Sequence, residues 1–307
     1  GKSWWGEEST VDKLIMPAIS DKQVQVIMFE NQEMDILGLD AATYTQAVED
    51  PAHPFNKLLH TALSPGLKWW GTMIGMEPLN DLNVRKGLAH GVDFESIIQA
   101  VLGRPWHAAT GFFAPGTACH DASADPHAYD PELARQYIAD STYGSGANVP
   151  VVMTDLRPGE DVNVASAVKE YWKDNLNVEL DIFRRESGLP RRPESQLKRF
   201  SEAMWVPHET QIVKTFTAKD IGVLPDVGGT EYTELDALEN FARGLALDDP
   251  NACQAWQAVQ EHYMDRVYML PWNWLYGPNW AIQPWIKGFE SGPNIDTPLW
   301  QMWVEKH

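Results

Sequence analysis

The chain has 307 residues, and its 24 basic and 43 acidic side chains give a formal charge of −19 at pH 7. This length suits one or two domains, and so acidic a balance argues against nucleic acid and anionic membranes as partners. Hydrophobic residues make up 44% of the chain, enough for a packed core, and the 14 tryptophans outnumber the 9 tyrosines and the 10 phenylalanines.

The N-terminal region predicts a short strand, a helix and a second strand. The strand-like run is Lys13–Met16, the amphipathic stretch is Lys22–Asn31, and another apolar run covers Met34–Gly38. Prolines and a glycine mark residues 51–66 as a connection, and the apolar run Trp69–Ile74 predicts a new strand. A domain crossing is therefore expected near residue 66.

A helical segment and a long loop follow. Apolar residues recur at helical spacing from 83 to 103, where Asp93 is a predicted N-cap for the second half and Gly103 a predicted C-terminal cap. Residues 104–129 have no apolar period and contain several prolines and glycines, which predicts a long ordered loop. The pair Asp130-Pro131 then begins another helix, because it supplies an N-cap and a proline at the first helical position.

The next segment has the pattern of a βαβ unit. Residues 149–154 predict a buried strand, an apolar helical face runs over 164–176, and apolar residues alternate over 178–182. Short joins between strand, helix and strand imply a parallel pair with a right-handed crossover. Two further helices and a return to strand and loop are predicted for 235–245, 249–267 and the remaining C-terminal residues.

The cysteines and a group of polar side chains leave alternatives open. Cys119 and Cys253 can form at most one disulfide, and the sequence does not show whether they meet. Metal-ligating residue types cluster around the first cysteine, and they form either a transition-metal site or, as we favour, a polar surface loop. The cluster comprises Cys119, His120, Asp121, Asp125 and His127. Nucleotide, hydrolase and zinc-protease signatures are absent from the sequence, so no cofactor, metal or catalytic residue is predicted.

The tryptophans divide into two groups. Trp172 and Trp256 fall on apolar helix faces and are predicted to lie in the core. The others of interest stand in strand-like or connecting segments near the expected domain crossings, where packing and the lining of a ligand cleft are equally compatible with the pattern. This second group consists of Trp69, Trp70, Trp205, Trp272 and Trp274.

Five segments, read in chain order, carry a resemblance to a known family. They are Trp5-Gly6 with Val11–Leu14, Phe29–Ile36, Asn83–Asp93, Gly111–Gly116 and Tyr129–Ala134. The first is similar to a Tyr-Trp-Gly…Leu-Asp-Lys-Ile element, the third to a Val-Arg-x-Ala-Leu-x-x-Ala-Ile-Asp run, and the last to a Tyr-Asp-Pro-Glu-x-Ala helix start. The series resembles that of the family 5 extracellular solute-binding proteins, the oligopeptide and dipeptide receptors of ABC importers.

The resemblance implies an α/β fold with ligand enclosed between two lobes. We expect a periplasmic-binding-protein type II-like lobe, a mixed sheet flanked by helices, together with an incomplete part of the other lobe. Residues 1–66 are then a remnant of the first lobe, 67–274 a complete second lobe, and 275–307 the return to the first lobe. Because family members are much longer, the chain is expected to be a C-terminal fragment with weak or no affinity for ligand by itself.

The implied function is capture of an oligopeptide or oligosaccharide in the periplasm or outside the cell, with lipid anchoring as an option in the full-length protein. The receptor delivers its solute to an ABC permease in the membrane, without catalysis. Where peptide receptors of the family carry an Asp-x-x-Asp-Pro-type segment, this chain keeps Trp205 but not the Asp-Pro, and Glu209 is a substitute carboxylate. The candidate ligand-binding residues are Trp69, Trp70, Trp205, His208, Glu209, Trp272, Trp274 and Tyr276.

Two other functions remain as alternatives. The same fold can serve as the ligand-sensing domain of a larger regulator, which a fused DNA-binding or membrane-spanning part would reveal. Tryptophan and acidic residues are also abundant in carbohydrate-active enzymes, although such an enzyme needs two carboxylates about 5–9 Å apart in one cleft.

Overall fold

The computed structural model describes residues 11–61, 66–103, 106–157, 159–186, 189–203, 230–246, 248–274, 279–289 and 302–305. The helices among them are α1 Lys22–Glu30, α2 Ala41–Glu49, α3 Leu82–His90, α4 Phe94–Val101, α5 Pro131–Asp140, α6 Glu160–Leu176, α7 Thr230–Gly244 and α8 Ala252–Asp265. The strands are β1 Ile36–Gly38, β2 Leu59–Thr61, β3 Gly66–Thr72, β4 Val152–Leu156, β5 Leu180–Arg184, β6 Leu197–Ala203, β7 Met269–Trp274, β8 Asn279–Ile282, β9 Ile286–Lys287 and β10 Trp303–Val304.

The described residues divide into two compact units. The first takes its residues from 1–64, 103–105 and 275–307, and the second from 65–102 and 106–274. None of the described helices combines the length and the apolar character needed to span a bilayer.

The first unit contains a three-stranded antiparallel sheet in the order β1-β8-β2. Its core gathers Phe29, Leu37, Ala47, Phe55 and Ala281, with the two phenylalanine rings edge to face at 5.3 Å. Burial of these side chains stabilises the small sheet, because short strands without an apolar core are only marginally stable in water.

Two details of the first unit differ from the sequence-based expectation. The predicted strand Lys13–Met16 is wrong, since this segment has no regular structure and Ile15 and Met16 are 71% and 82% exposed. An apolar tetrapeptide forms a strand only where a neighbouring strand supplies hydrogen bonds. Helix α2 was not predicted, although Asp40 caps it by accepting a hydrogen bond from the Thr43 amide at 2.7 Å.

The second unit is built on a five-stranded mixed sheet in the order β5-β4-β6-β3-β7. The predicted βαβ unit is confirmed, because β4, α6 and β5 follow one another and the two strands are parallel from Val152↔Leu180 to Leu156↔Arg184. Strand β6 lies parallel to β4, and β3 pairs antiparallel with both β6 and β7. The predicted mixed sheet flanked by helices is therefore confirmed.

Capping and core predictions for this unit also hold. Asp93 and Asp130 cap α4 and α5, and Gly103, which groups with the first unit, lies just after the end of α4 with a φ of 70°. Trp172 and Trp256 are buried at 0% and 2% exposure, as predicted, and the indole N–H of Trp172 donates to the Leu88 carbonyl oxygen at 2.9 Å. Trp172 is thus buried with its N–H group hydrogen-bonded, and this contact links α6 to α3.

Candidate functional site

Positive charge is concentrated in one short part of this acidic chain. Residues 184–199 contain six of the 24 basic side chains: Arg184, Arg185, Arg191, Arg192, Lys198 and Arg199. The parallel pairing of Leu156 with Arg184 places the next residue of each strand, Arg157 and Arg185, at the same edge of the sheet. In α/β sheets, ligands bind outside the carboxyl ends of the strands, which is this edge.

A cavity of about 340 Å³ lies at this edge, within the second unit. We call it the arginine pocket. Its lining comes from the ends of β4 and β5, the start of α6 and strand β6, and consists of Asp155, Leu156, Arg157, Asp161, Arg185, Arg191, Arg199 and Phe200.

Two contacts hold Arg191 in the arginine pocket. Its guanidinium lies 5.2 Å from the ring centre of Phe200, and its Nη2 donates to the Arg199 carbonyl oxygen at 2.6 Å. Burial, followed by the positive charges of Arg185 and Arg199, lowers the pKa of Arg191. The like charges are held together by the fold, and they create a positive potential that favours an anion.

Asp161 supplies part of the counter-charge. Its carboxylate accepts from Lys68 Nζ at 3.2 Å and pairs with Arg199 Nε at 2.7 Å. It lies in the first turn of α6, which begins after Gly159 at a φ of 142° and without a side-chain cap. The partial positive charge of this helix end adds to the arginine charges.

Asp155 has a structural role in the same pocket. Burial by itself raises the pKa of Asp155, but hydrogen bonds from the Arg192 amide, its guanidinium and the Ser195 hydroxyl outweigh burial and hold the pKa below its usual value. The Arg192 Nε and Ser195 Oγ contacts are 2.7 and 2.8 Å. Asp155 is therefore ionised, the opposite of what the acid of a glycosidase requires, and it fixes the turn that precedes β6.

The predicted ligand-binding tryptophans that the structure describes are buried, with exposures of 1% for Trp69 and Trp70, 0% for Trp272 and 5% for Trp274. Of the two roles that the sequence left open, this burial favours packing. Two of them nevertheless support the arginine pocket, because Trp69 stacks on Phe200 at 5.4 Å and Trp272 lies 5.3 Å below Lys68 Nζ. Four other candidates lie outside the described residues: Trp205, His208, Glu209 and Tyr276.

The arginines of the pocket were not among the predicted site residues. The signal that could have found them is the run of basic residues over 184–199, which is unusual in a chain with a charge of −19. Whole-chain charge conceals such a run, because acidic residues elsewhere outweigh it.

The cluster of metal-ligating residue types in the long loop has another explanation. Cys119 is bonded to Cys253, with 4.9 Å between their Cα atoms, so its sulfur is not a thiolate ligand. The His120 and His127 rings bond to the carbonyl oxygens of Phe113 and Met264 at 2.7 and 2.8 Å. The disulfide and the His127 contact hold the loop against α8, because Cys253 and Met264 belong to that helix. Asp121 and Asp125 are exposed, as expected for the favoured polar surface loop, whereas Cys119 is buried.

His127 makes the attachment of this loop sensitive to pH. Burial lowers the pKa of His127 from 6.5 to about 4. The hydrogen bond to Met264 raises this pKa, and the positive charges of His90 and Lys86 lower it further. Because the folded pKa is depressed, the stabilisation is complete above pH 6.5 and is lost as the pH falls toward 4. We expect the free energy of unfolding to fall by about 2 kcal/mol. This is less than the pKa shift alone implies, because part of His127 contacts solvent, which screens its charge.

This expectation is checked by urea unfolding at pH 7.5 and pH 4.5. The His127→Gln variant keeps a donor for Met264 but does not titrate, so its free energy of unfolding is expected to fall less between the two pH values than that of the wild type. An equal fall in both proteins would show that other groups carry the pH dependence.

A second cavity of about 620 Å³ lies near the start of α3 and the end of α5. It is lined by Glu77, Asn80, Asp81, Asn83, Asp140, Thr142 and Tyr143. Two of its acidic side chains, Asp81 and Glu77, are engaged internally. Asp81 caps α3 and accepts from both the amide and the hydroxyl of Thr142 at 2.8 Å, and Tyr143 donates to Glu77 at 2.9 Å. We assign no ligand to this cavity.

Known proteins resemble this chain in sequence. Residues 2–201 match the family model described as bacterial extracellular solute-binding proteins, family 5 Middle. The dipeptide-binding protein DppE of Bacillus subtilis (strain 168) is 22% identical over 279 residues, which cover 88% of this chain and 50% of that protein.

Solved structures show the same fold. The ABC transporter-associated periplasmic binding protein DppA from Helicobacter pylori, in complex with the peptide STSA, matches with a TM-score of 0.82 at 14% identity, over 100% of this chain and 59% of its own. A dipeptide binding protein from Pseudoalteromonas sp. SM9913, in complex with Met-Leu, matches with a TM-score of 0.78 at 16% identity. The match covers 98% of this chain and 60% of that chain. The predicted periplasmic-binding-protein fold is confirmed, and the chain spans about half the length of the curated relatives it matches.

Proposed function

Because the chain belongs to the bacterial extracellular solute-binding proteins, family 5, we propose that it binds a peptide for delivery to an ABC permease. The observation that carries this proposal is the arginine pocket, whose cations suit the free carboxylate of a peptide. An oligosaccharide offers no such charge, and the four predicted ligand-binding tryptophans that the structure describes are buried.

The size and position of the arginine pocket support a site for one end of the solute. A volume of about 340 Å³ is at the lower limit of ligand sites, which run from about 300 to 1,000 Å³. Guanidinium groups recognise carboxylates through paired hydrogen bonds of fixed geometry. The pocket therefore fits a terminal carboxylate with its residue better than a whole oligopeptide.

Isothermal titration of the full-length protein tests the ligand class. Tripeptides with a free carboxylate are expected to bind, the same peptides with a C-terminal amide to bind at least about tenfold more weakly, and cello-oligosaccharides not to bind. Binding of the oligosaccharides without the peptides would refute the peptide assignment.

The Arg191→Gln variant tests the pocket. Since hydrogen bonds to charged groups contribute about 1.5–3 kcal/mol, the affinity for free-carboxylate peptides should fall by about 10- to 100-fold. Arg135→Gln is the matched control, because Arg135 is a surface residue of α5 paired with Glu132. Circular dichroism checks that both variants are folded. If they are folded and bind the peptides with equal affinity, Arg191 is excluded from the site.

The remaining parts of the proposal concern the receptor as a whole. We place its second lobe at about residues 67–274, with 1–66 and 275–307 belonging to the first lobe. A lipid anchor in the full-length protein is a further proposal, and mass spectrometry of the cell-derived protein tests it. A fused DNA-binding or membrane-spanning part in the same gene would favour the regulator alternative.

A further inference from the structure

The charges of the arginine pocket are unequally compensated. Arg199 pairs with Asp161, and the neighbouring Arg192 pairs with Asp155 and with Asp181 at 2.7 and 2.9 Å. These carboxylates are thus already occupied by cations.

Three guanidinium groups remain. Within the described part of the chain, Arg157, Arg185 and Arg191 form no ion pair with a carboxylate. Arg185 donates to the Leu189 carbonyl oxygen, but its Nε is buried without a hydrogen-bond partner. Buried polar groups in folded proteins normally have partners, so this donor is suited to an acceptor that arrives with the ligand.

A single carboxylate compensates only part of this charge. It carries one negative charge and two oxygens, whereas the three guanidinium groups carry three positive charges and a larger number of donors. Uncompensated like charges in a partly buried pocket repel one another, and a second carboxylate relieves that repulsion.

On this basis, and resting on the proposed function, we propose that the arginine pocket selects a solute end with two carboxylates, namely a peptide whose C-terminal residue is glutamate or aspartate. The terminal carboxylate and the side-chain carboxylate are then shared among Arg157, Arg185 and Arg191. Asp161 limits this preference, because its carboxylate lines the same pocket and repels an anionic ligand, although it is paired with Lys68 and Arg199.

The experiment compares Ala-Ala-Glu with Ala-Ala-Gln, which differ in charge but hardly in shape. Titration of the full-length protein at low ionic strength is expected to give at least about tenfold tighter binding of the glutamate peptide, and the ratio should fall as salt is added. Equal binding of the two peptides would overturn this inference and leave the proposed function standing. Failure of both peptides to bind, together with Ala-Ala-Ala, would refute the proposed function itself.

Two variants separate electrostatic selection from a structural effect. Arg185→Gln should reduce the ratio toward one while Ala-Ala-Gln still binds. Asp161→Asn has nearly the same size but removes a negative charge, so the affinity for Ala-Ala-Glu should rise by several-fold. If Asp161→Asn instead weakens both peptides equally, or if Arg185→Gln leaves the ratio unchanged, charge selection by this pocket is refuted.

Discussion

Replacing both Cys119 and Cys253 with alanine is expected to lower the free energy of unfolding by about 3–5 kcal/mol. The disulfide closes a loop with a sequence separation of 134 residues, so its removal frees a large part of the unfolded chain. It also joins the long loop of residues 106–129 to α8. Urea unfolding of the oxidised wild type and of the double variant measures the difference.

Reduced wild-type protein is the control for this prediction. If the covalent bond is the cause, reduction should destabilise the wild type by a similar amount and leave the variant unchanged. Gln260 still accepts from the amides of Phe112 and Phe113 at 2.9 and 3.2 Å, so part of the loop should stay attached. Hydrogen exchange is then expected to accelerate more near residue 119 than at those two amides, and uniform acceleration would contradict this local picture.

Gly146→Ala is expected to destabilise the protein by about 2–4 kcal/mol, because the new methyl group has no room. A Cβ atom at this position would lie 1.7 Å from the carbonyl oxygen of Leu176, the last residue of α6. That oxygen belongs to the backbone, so relief requires the end of α6 or the turn at Gly146 to move. Thermal and urea unfolding measure the cost.

Gly244→Ala is the matched control, since nothing lies within 4 Å of a Cβ atom built there. Alanine has a higher helix propensity than glycine, and Gly244 is the last residue of α7, so this variant should be neutral or more stable by up to about 1 kcal/mol. Comparable destabilisation by the two substitutions would show that steric overlap at Gly146 is not the cause.

Local signals in the sequence were reliable where they depend on neighbouring residues. Asp93 and Asp130 cap their helices as predicted, because an N-cap needs only its own side chain and the amides of the next turn. The βαβ unit was recognised for the same reason, since strand, helix and strand each have a periodic pattern and short joins restrict how they pair.

Predictions that depend on distant partners were less complete. Strand β6, with the largely polar sequence LKRFSEA, was not assigned as a strand, and it forms because β3 and β4 lie on either side of it. The tryptophan pattern of β3 was compatible with both a ligand cleft and a core, and only the sheet and helices around Trp69 and Trp70 bury them.

The sequence by itself determined the family, the α/β class and the presence of most helices, because these depend on short motifs and on the period of apolar residues. The tertiary structure decided the arginine pocket and the pairing of Cys119 with Cys253. Arg157 is distant in the chain from Arg185 and Arg199, and the three meet only because β4, β5 and β6 lie side by side in the same direction. Strand order is a long-range property, and the charge of a binding site follows from it.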